Sequence, residues 1–170
     1  MTVSLFPDRA SPVSHANRGM GWERLVEEQI VVYQRKGWYC LRQHLPVCIQ
    51  KGYNATVTGP AACDWVFSRG AQTVVLDLKS WSSAPRWPLE EISDHQAGHL
   101  DAATRAHLIA GIALLLDGAA WWLPWCEIGP MWHRWRSGEA RRGQCSLGVE
   151  QLLVVGERCD GADFLAVATR

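Results

Sequence analysis

Nowhere does the 170-residue chain approach the ~20 consecutive apolar residues needed to cross a bilayer. Its opening, MTVSLFPDRASP, lacks the basic-then-apolar order of a secretory signal. A soluble, cytoplasmic protein is therefore expected. The six cysteines, at 40, 48, 63, 126, 145 and 159, include no C-x-x-C pair. That argues against a zinc ribbon and supplies no disulfide framework, so reduced, mostly buried thiols are expected. Neither sign of charge is in excess: 17 basic and 17 acidic residues cancel, and the basic total of a typical nucleic-acid binder is missing. Lysine is scarce, occurring only at 36, 51 and 79. Arginine, the better fork for phosphate oxygens, supplies the remaining cations, so a local basic surface could still serve. With no internal repeat and no second composition-defined region, one domain is expected.

What is present in unusual number is tryptophan, at ten positions. Core filling and surface cover account for so many better than a stacking role for each. Residues 1–16 carry Pro7 and Pro12 without periodicity and are expected to form a flexible arm. From about Asn17 a helical stripe of Trp22, Leu25, Val26, Val32 and Tyr33 runs to a stop at Gly37. Short β-type runs follow at 38–41 and 47–49, with a turn or projecting hairpin over 44–59. Trp65-Val66-Phe67 then turns at Arg69-Gly70 into a strand over 72–79. Residues 80–88, with Pro85 and Pro88, are expected to be a loop. A second helix should begin at Ser93, where Gln96 completes a capping box, with Ala97, Leu100 and Ala103 on its inner face. Apolar runs on either side of Asp117-Gly118 give the strongest hairpin signal in the chain. Beyond it come a short amphipathic helix around 131–135, a basic loop at Arg141-Arg142, and β-type runs at 152–155 and 164–167. The sum is a mixed α/β domain.

The strand VVLDLKSW poses a problem, because an acid and a base interrupt an apolar run. Alternation puts Val75, Asp77 and Lys79 on one face and Val74, Leu76 and Leu78 on the other. If Arg69-Gly70 is a two-residue loop, Asp64 falls opposite Val75, on the face of Asp77 and diagonal to it. Two carboxylates so placed can share a hard divalent cation, and a lysine beside them can orient water or offset charge on phosphate oxygens. From spacing alone, a half-exposed edge strand with a solvated Asp and Lys is the better fit, since D-x-K with an upstream Asp is common.

The arrangement resembles the PD-(D/E)xK nuclease superfamily, and four segments in order resemble its RecU-type Holliday junction resolvases. These are His15-Ala16-Asn17-Arg18-Gly19-Met20 with Glu23 three residues on, Asp64-Trp65, the triplet Asp77-Leu78-Lys79, and Pro88 to Leu100. The likeness spans roughly residues 15–125. The triplet has aspartate where that family usually has glutamate, and the segment that carries the family's junction-entering stalk is short here, with 44–59 as its reduced form.

The resemblance implies a restriction-endonuclease-like mixed central β-sheet flanked by helices. It implies a homodimeric, magnesium-dependent endonuclease of recombination and repair that cuts four-way DNA junctions, with Mn2+ as a substitute metal and a bacterial or phage source. Catalysis would fall to Asp64, Asp77, Lys79 and Glu23, metal binding to Asp64, Asp77 and Gln96, and DNA contacts to His15, Asn17, Arg18, Arg42, Lys51 and His95. Read from the residues alone, Gln96 is a capping residue and Glu23 a solvated helix acid. Two rival readings stay open: a nickase or repair endonuclease of the same superfamily, and a DNA-binding module without catalysis.

Overall fold

The computed structural model describes residues 15–43, 47–49, 55–57, 63–82, 85–141 and 143–170, with backbone alone for 15–20, 47–49 and 55–57. The chain opens with α1 (His15–Arg35), then β1 (Tyr39–Arg42), β2 (Val47–Ile49), β3 (Ala55–Val57), β4 (Trp65–Arg69), β5 (Gln72–Trp81) and β6 (Arg86–Pro88). A 3-10 turn (Leu89–Glu91) leads into α2 (Asp94–Arg105), β7 (Ile109–Leu116), β8 (Ala119–Pro124) and α3 (Trp125–Arg136). The chain closes with β9 (Ser146–Gly148), α4 (Val149–Val155), β10 (Glu157–Arg158) and α5 (Phe164–Ala168).

Six strands form a central sheet in the order β1-β4-β5-β7-β8-β10. Only β5 and β7 run parallel, joined by α2, and the other pairs are antiparallel, so the sheet is mixed. Apolar side chains on both faces of the sheet require cover on both. On one face, Trp22, Val26, Ile30 and Tyr33 of α1 pack with Phe67, Val74 and Leu76, joined by Phe164 and Leu165 of α5. On the other, Ala97, Leu100 and Ala103 of α2 and Trp125, Ile128 and Trp132 of α3 pack on Val75, Ile112 and Leu114. The inner face of α2 is the expected one. In α1 the buried stripe uses Ile30, while Leu25 and Val32 are exposed. Eight tryptophans are buried, and Trp81 and Trp135 pack against the core as partly buried residues, in keeping with core filling.

Local chemistry explains the hairpins. Asp117 and Gly118 both take positive φ (50° and 77°), the pattern of a type I′ turn, and Leu116 pairs with Ala119. The β4–β5 turn departs from expectation. Gly70 has φ 59° and Ala71 is not left-handed, so the loop is Gly70-Ala71 and Arg69 pairs with Gln72. A type II′ turn needs glycine at its first central position, which makes Gly70 the first loop residue and not the second. The register shifts by two, so the side-chain faces of the paired residues are kept and Trp65 pairs with Leu76; Asp64 stands just outside the paired ladder, its N–H bonded to the Leu76 carbonyl.

Other expectations are corrected. The run 80–88 is not all loop: β5 extends to Trp81, and β6 pairs with β9, sixty residues on, where Arg86 donates to Ser146 Oγ (2.9 Å) and to the Ser146 carbonyl (2.6 Å). Residues 152–155 and 164–167 are helical, within α4 and α5. Leu152 is buried while Leu153 and Val154 are exposed, which is not the alternation of a half-buried strand. The helix expected around 131–135 begins at Trp125 and carries Pro130 inside it; burial of Trp125, Ile128 and Trp132 offsets the lost backbone bond. Of the five thiols whose side chains are described, Cys63 and Cys159 are buried, Cys40 is half-buried and Cys126 and Cys145 are exposed, so burial among them is less general than expected. Residues 44–59 contain the β2–β3 hairpin as a separate two-stranded sheet. Of the expected arm, 1–14 lie outside the described residues and His15 and Ala16 begin α1. No described helix is long and apolar enough to cross a membrane.

Candidate active site

The centre of the sheet, where β4 begins beside the second half of β5, gathers the charged residues. The Asp64 N–H donates to the Leu76 carbonyl at 3.1 Å, and its own carbonyl accepts from Gln43 N–H at 2.9 Å, tying β1, β4 and β5 together. Its side chain turns back onto β5, where Oδ2 accepts the Leu78 N–H at 2.6 Å. Asp77, one residue before, is 1% exposed, the one fully buried charged side chain among the described residues. Its Oδ2 is enclosed without a hydrogen-bond partner. Burial, and then the Asp64 carboxylate beside it, push the Asp77 carboxyl from 3.8 up to about 7, with Lys79 pulling the other way. The neighbouring Cys63 thiol is pushed up to about 12, by its burial first and then by Asp77 and Asp64.

Lys79 Nζ donates to Gln96 Oε1 at 3.0 Å, joining β5 to the first turn of α2. The same oxygen accepts the Ser93 N–H (3.1 Å) and Oγ–H (3.2 Å), while the Gln96 N–H donates to Ser93 Oγ (3.2 Å). The capping box is thus complete, and Gln96 serves the cap and the lysine at once.

Asp64, Lys79, Gln96, Glu23 and Arg42 all line one cleft of about 280 Å³, walled by Trp22 and Trp65. Asp77 lies buried beside it. Arg42 bridges to α1, with Nη2 donating to Glu23 Oε2 at 3.3 Å and Nη1 to Glu27 Oε1, and its guanidinium lies 5.9 Å from the Trp65 ring centroid. Those ion pairs are exposed and individually weak. They hold the Glu23 carboxylate against Arg42 at the edge of the cleft. His95, next to Gln96, sets its ring edge-on to His99 at 4.5 Å. Burial and then the neighbouring His95 hold His99 below its ordinary value.

Five of the expected site residues therefore share one cleft, Asp77 adjoins it, and His95 lies on the same helix. His15, Asn17 and Arg18 lie in the first turns of α1, where the backbone alone is described, and Lys51 lies outside the described residues. Sequence reading did not single out Gln43 or Ser80, which line the same cleft. Ser80 directly follows the triplet, whereas Gln43 belongs to no pattern.

A divalent cation suits this donor set. Among the described residues no three His, Cys, Asp or Glu side chains converge. Two carboxylates do, one of them with an enclosed oxygen that lacks a donor. A hard ion that keeps most of its shell as water and phosphate oxygens needs no more from a protein.

No family model matches the sequence, and no curated protein matches it. Among solved structures, the chain is similar to Hjc of Archaeoglobus fulgidus, a Holliday junction resolvase from an archaeal hyperthermophile. The identity is 18% and the TM-score 0.48, over 88% of this chain and 99% of that one. Likeness at that level assigns no residue a role, and the chemistry rests on the site's own geometry.

Proposed function

We propose that the protein is a magnesium-dependent endodeoxyribonuclease that resolves four-way DNA junctions by paired phosphodiester hydrolysis, acting as a homodimer. The observation that carries this reading is the approach of Asp64 to a buried, incompletely hydrogen-bonded Asp77, with Lys79 beside them at one cleft. A carboxyl buried at such cost, with one oxygen enclosed and lacking a hydrogen-bond donor, suits a site that takes a cation.

Asp64 and Asp77 would hold the ion, which when bound polarises the scissile phosphate and acidifies a coordinated water. The remaining work falls to the chain's own side chains. Lys79 orients the attacking water and offsets charge on the phosphate oxygens as the new O–P bond forms and the bond to the leaving sugar oxygen breaks. Gln96, for which the resolvase resemblance implies a place at the cation, has its oxygen directed at Lys79 and Ser93; we assign it to holding the lysine. Glu23 stands at the rim as an acid within reach through water. Arg42, with His15, Asn17, Arg18, Lys51 and His95, contacts backbone phosphates, which position DNA without reading its sequence. The β2–β3 hairpin emerges between Arg42 and Asp64, beside the cleft, where an element entering the junction would have to be rooted. Symmetric resolution requires two sites related by a two-fold axis, hence the dimer.

The test is cleavage of a labelled four-way junction against matched duplex and flap DNA, with and without Mg2+ or Mn2+. Paired nicks on opposite strands, dependent on metal, are expected. Equal cutting of flap and junction would favour a nickase or repair endonuclease, and binding without cleavage in either metal would leave a DNA-binding module.

A further inference from the structure

The part of the chain beyond residue 125 lies outside the segments that resemble resolvases, yet it reaches the site. Trp132 of α3, 5% exposed, donates its indole Nε1–H to the Ile92 carbonyl at 3.0 Å. The other end of that same peptide unit, the Ser93 N–H, donates to Gln96 Oε1 at 3.1 Å. Gln96 Oε1 in turn accepts Lys79 Nζ at 3.0 Å. A lysine side chain has only donors, so the Gln96 atom facing it must be the oxygen. One rigid peptide plane therefore links a buried tryptophan on α3 to the lysine on β5 through a single glutamine oxygen.

Two further contacts press α3 against α2. Arg136 grips Asp94 with both arms of its fork, Nε to Oδ1 and Nη2 to Oδ2, each at 2.7 Å. Asp101 Oδ1 accepts Trp125 Nε1 at 2.7 Å and lies 3.2 Å from His133 Nε2. Residues 92, 94 and 101 are thus all held from α3. Of these, only the Trp132 bond acts on the peptide that feeds the Gln96 oxygen, and it is the buried one. Its loss leaves the Ile92 carbonyl without its donor and frees the peptide plane to rotate.

We propose that Trp132 is a positioning residue for Lys79, acting through the Ile92–Ser93 peptide and Gln96. This rests on the reading of Lys79 as the catalytic lysine, but the relay itself is measurable without DNA. Lys79 is one of three lysines, and Lys36, paired with Asp163 at 3.7 Å beside α1, serves as an internal reference. A pulse of acetic anhydride followed by peptide mass spectrometry gives the Lys79-to-Lys36 labelling ratio in one molecule. Trp132→Phe keeps an aromatic ring in the core and deletes the donor. If that ring packs too poorly to fold, β-(3-benzothienyl)alanine at the same position replaces the N–H by sulfur in an otherwise matching shape.

The labelling ratio should rise severalfold in Trp132→Phe and in Gln96→Ala, and no further in the double variant, because both break one chain of bonds. Single-turnover cleavage by Trp132→Phe should fall severalfold at unchanged DNA affinity. A ratio unmoved by the loss of the Trp132 donor, or additive rises in the double variant, would overturn the proposal. The two readings fail separately. A protein that cuts no DNA but shows the coupled lysine response keeps the relay and discards the nuclease. Normal cutting by Trp132→Phe with an unmoved ratio does the reverse.

Discussion

The Asp64 carboxylate accepts the Leu78 N–H at 2.6 Å, so one acid of the pair is locked onto the strand that carries the other. The locking needs an acceptor, not a charge. Asp64→Asn can keep the bond through its amide oxygen while removing one of the two charges that would hold a cation. Metal-dependent junction cleavage is expected to disappear, with junction binding equal to or tighter than wild type, since a negative charge facing phosphate is lost. Full cleavage by Asp64→Asn in Mg2+ would sink the metal assignment.

Asp77 gives a pH signature. Its carboxyl ordinarily titrates at 3.8 and is raised to about 7 in the fold. The folded protein holds the proton more tightly, so as pH climbs from about 4 through 7 the unfolded chain releases it first and the fold loses stability. Above 7 the metal-free protein carries a buried carboxylate; Asp77→Asn removes it and should gain roughly 2–4 kcal/mol at pH 8, with the gain vanishing near pH 4. Mg2+ should raise the Tm of wild type at pH 8 and leave that of the variant alone. Thermal unfolding across this range decides the matter, and a variant less stable than wild type at pH 8 would contradict it.

Lys79 separates chemistry from binding. If it served only as a surface partner, its loss would cost about 0–1 kcal/mol. Placed on the water or the phosphate oxygens, its removal in Lys79→Ala should slow single-turnover cleavage about 100-fold or more. Junction affinity should barely move, one phosphate contact among many being a small share of a salt-dependent total. Lys79→Arg should not rescue, because a planar guanidinium cannot replace a compact ammonium at the Gln96 oxygen. Near-wild-type cleavage by a folded Lys79→Ala would remove the lysine from the mechanism.

The β4–β5 pairing that leads up to the two acids depends on a glycine at the far end of the hairpin. Gly70 sits at φ 59° in the turn that sets the β4–β5 register. Gly70→Ala should cost about 1 kcal/mol or more in urea unfolding, because alanine is strained at that angle. It should also weaken the Mg2+-dependent rise in Tm. Gly118→Ala, at φ 77° in the β7–β8 turn, should cost a similar amount while leaving the metal response intact. Equal metal responses in the two variants would show that the register does not depend on Gly70.

Several features were legible because short-range chemistry specifies them. Asp117-Gly118 made its turn, Ser93 and Gln96 made their capping box, and Ala97, Leu100 and Ala103 lined the inner face of α2. Period-two alternation alone put Asp77 and Lys79 on one face of β5. Tertiary structure decided the rest. Runs such as Leu152–Val155 and Phe164–Val167 are apolar enough for strand or helix, and packing against the sheet made them helices. β6 and β9 pair across sixty residues, a contact no local pattern encodes. Trp65 came to pair with Leu76, with Asp64 just beyond it, because one glycine required the first place in a turn, and Gln96 met Lys79 because α2 lies across the face of β5 on which that lysine stands. Local propensities fix elements and faces through neighbours a few residues apart, whereas a catalytic constellation is a set of distances between elements, fixed only when the core closes.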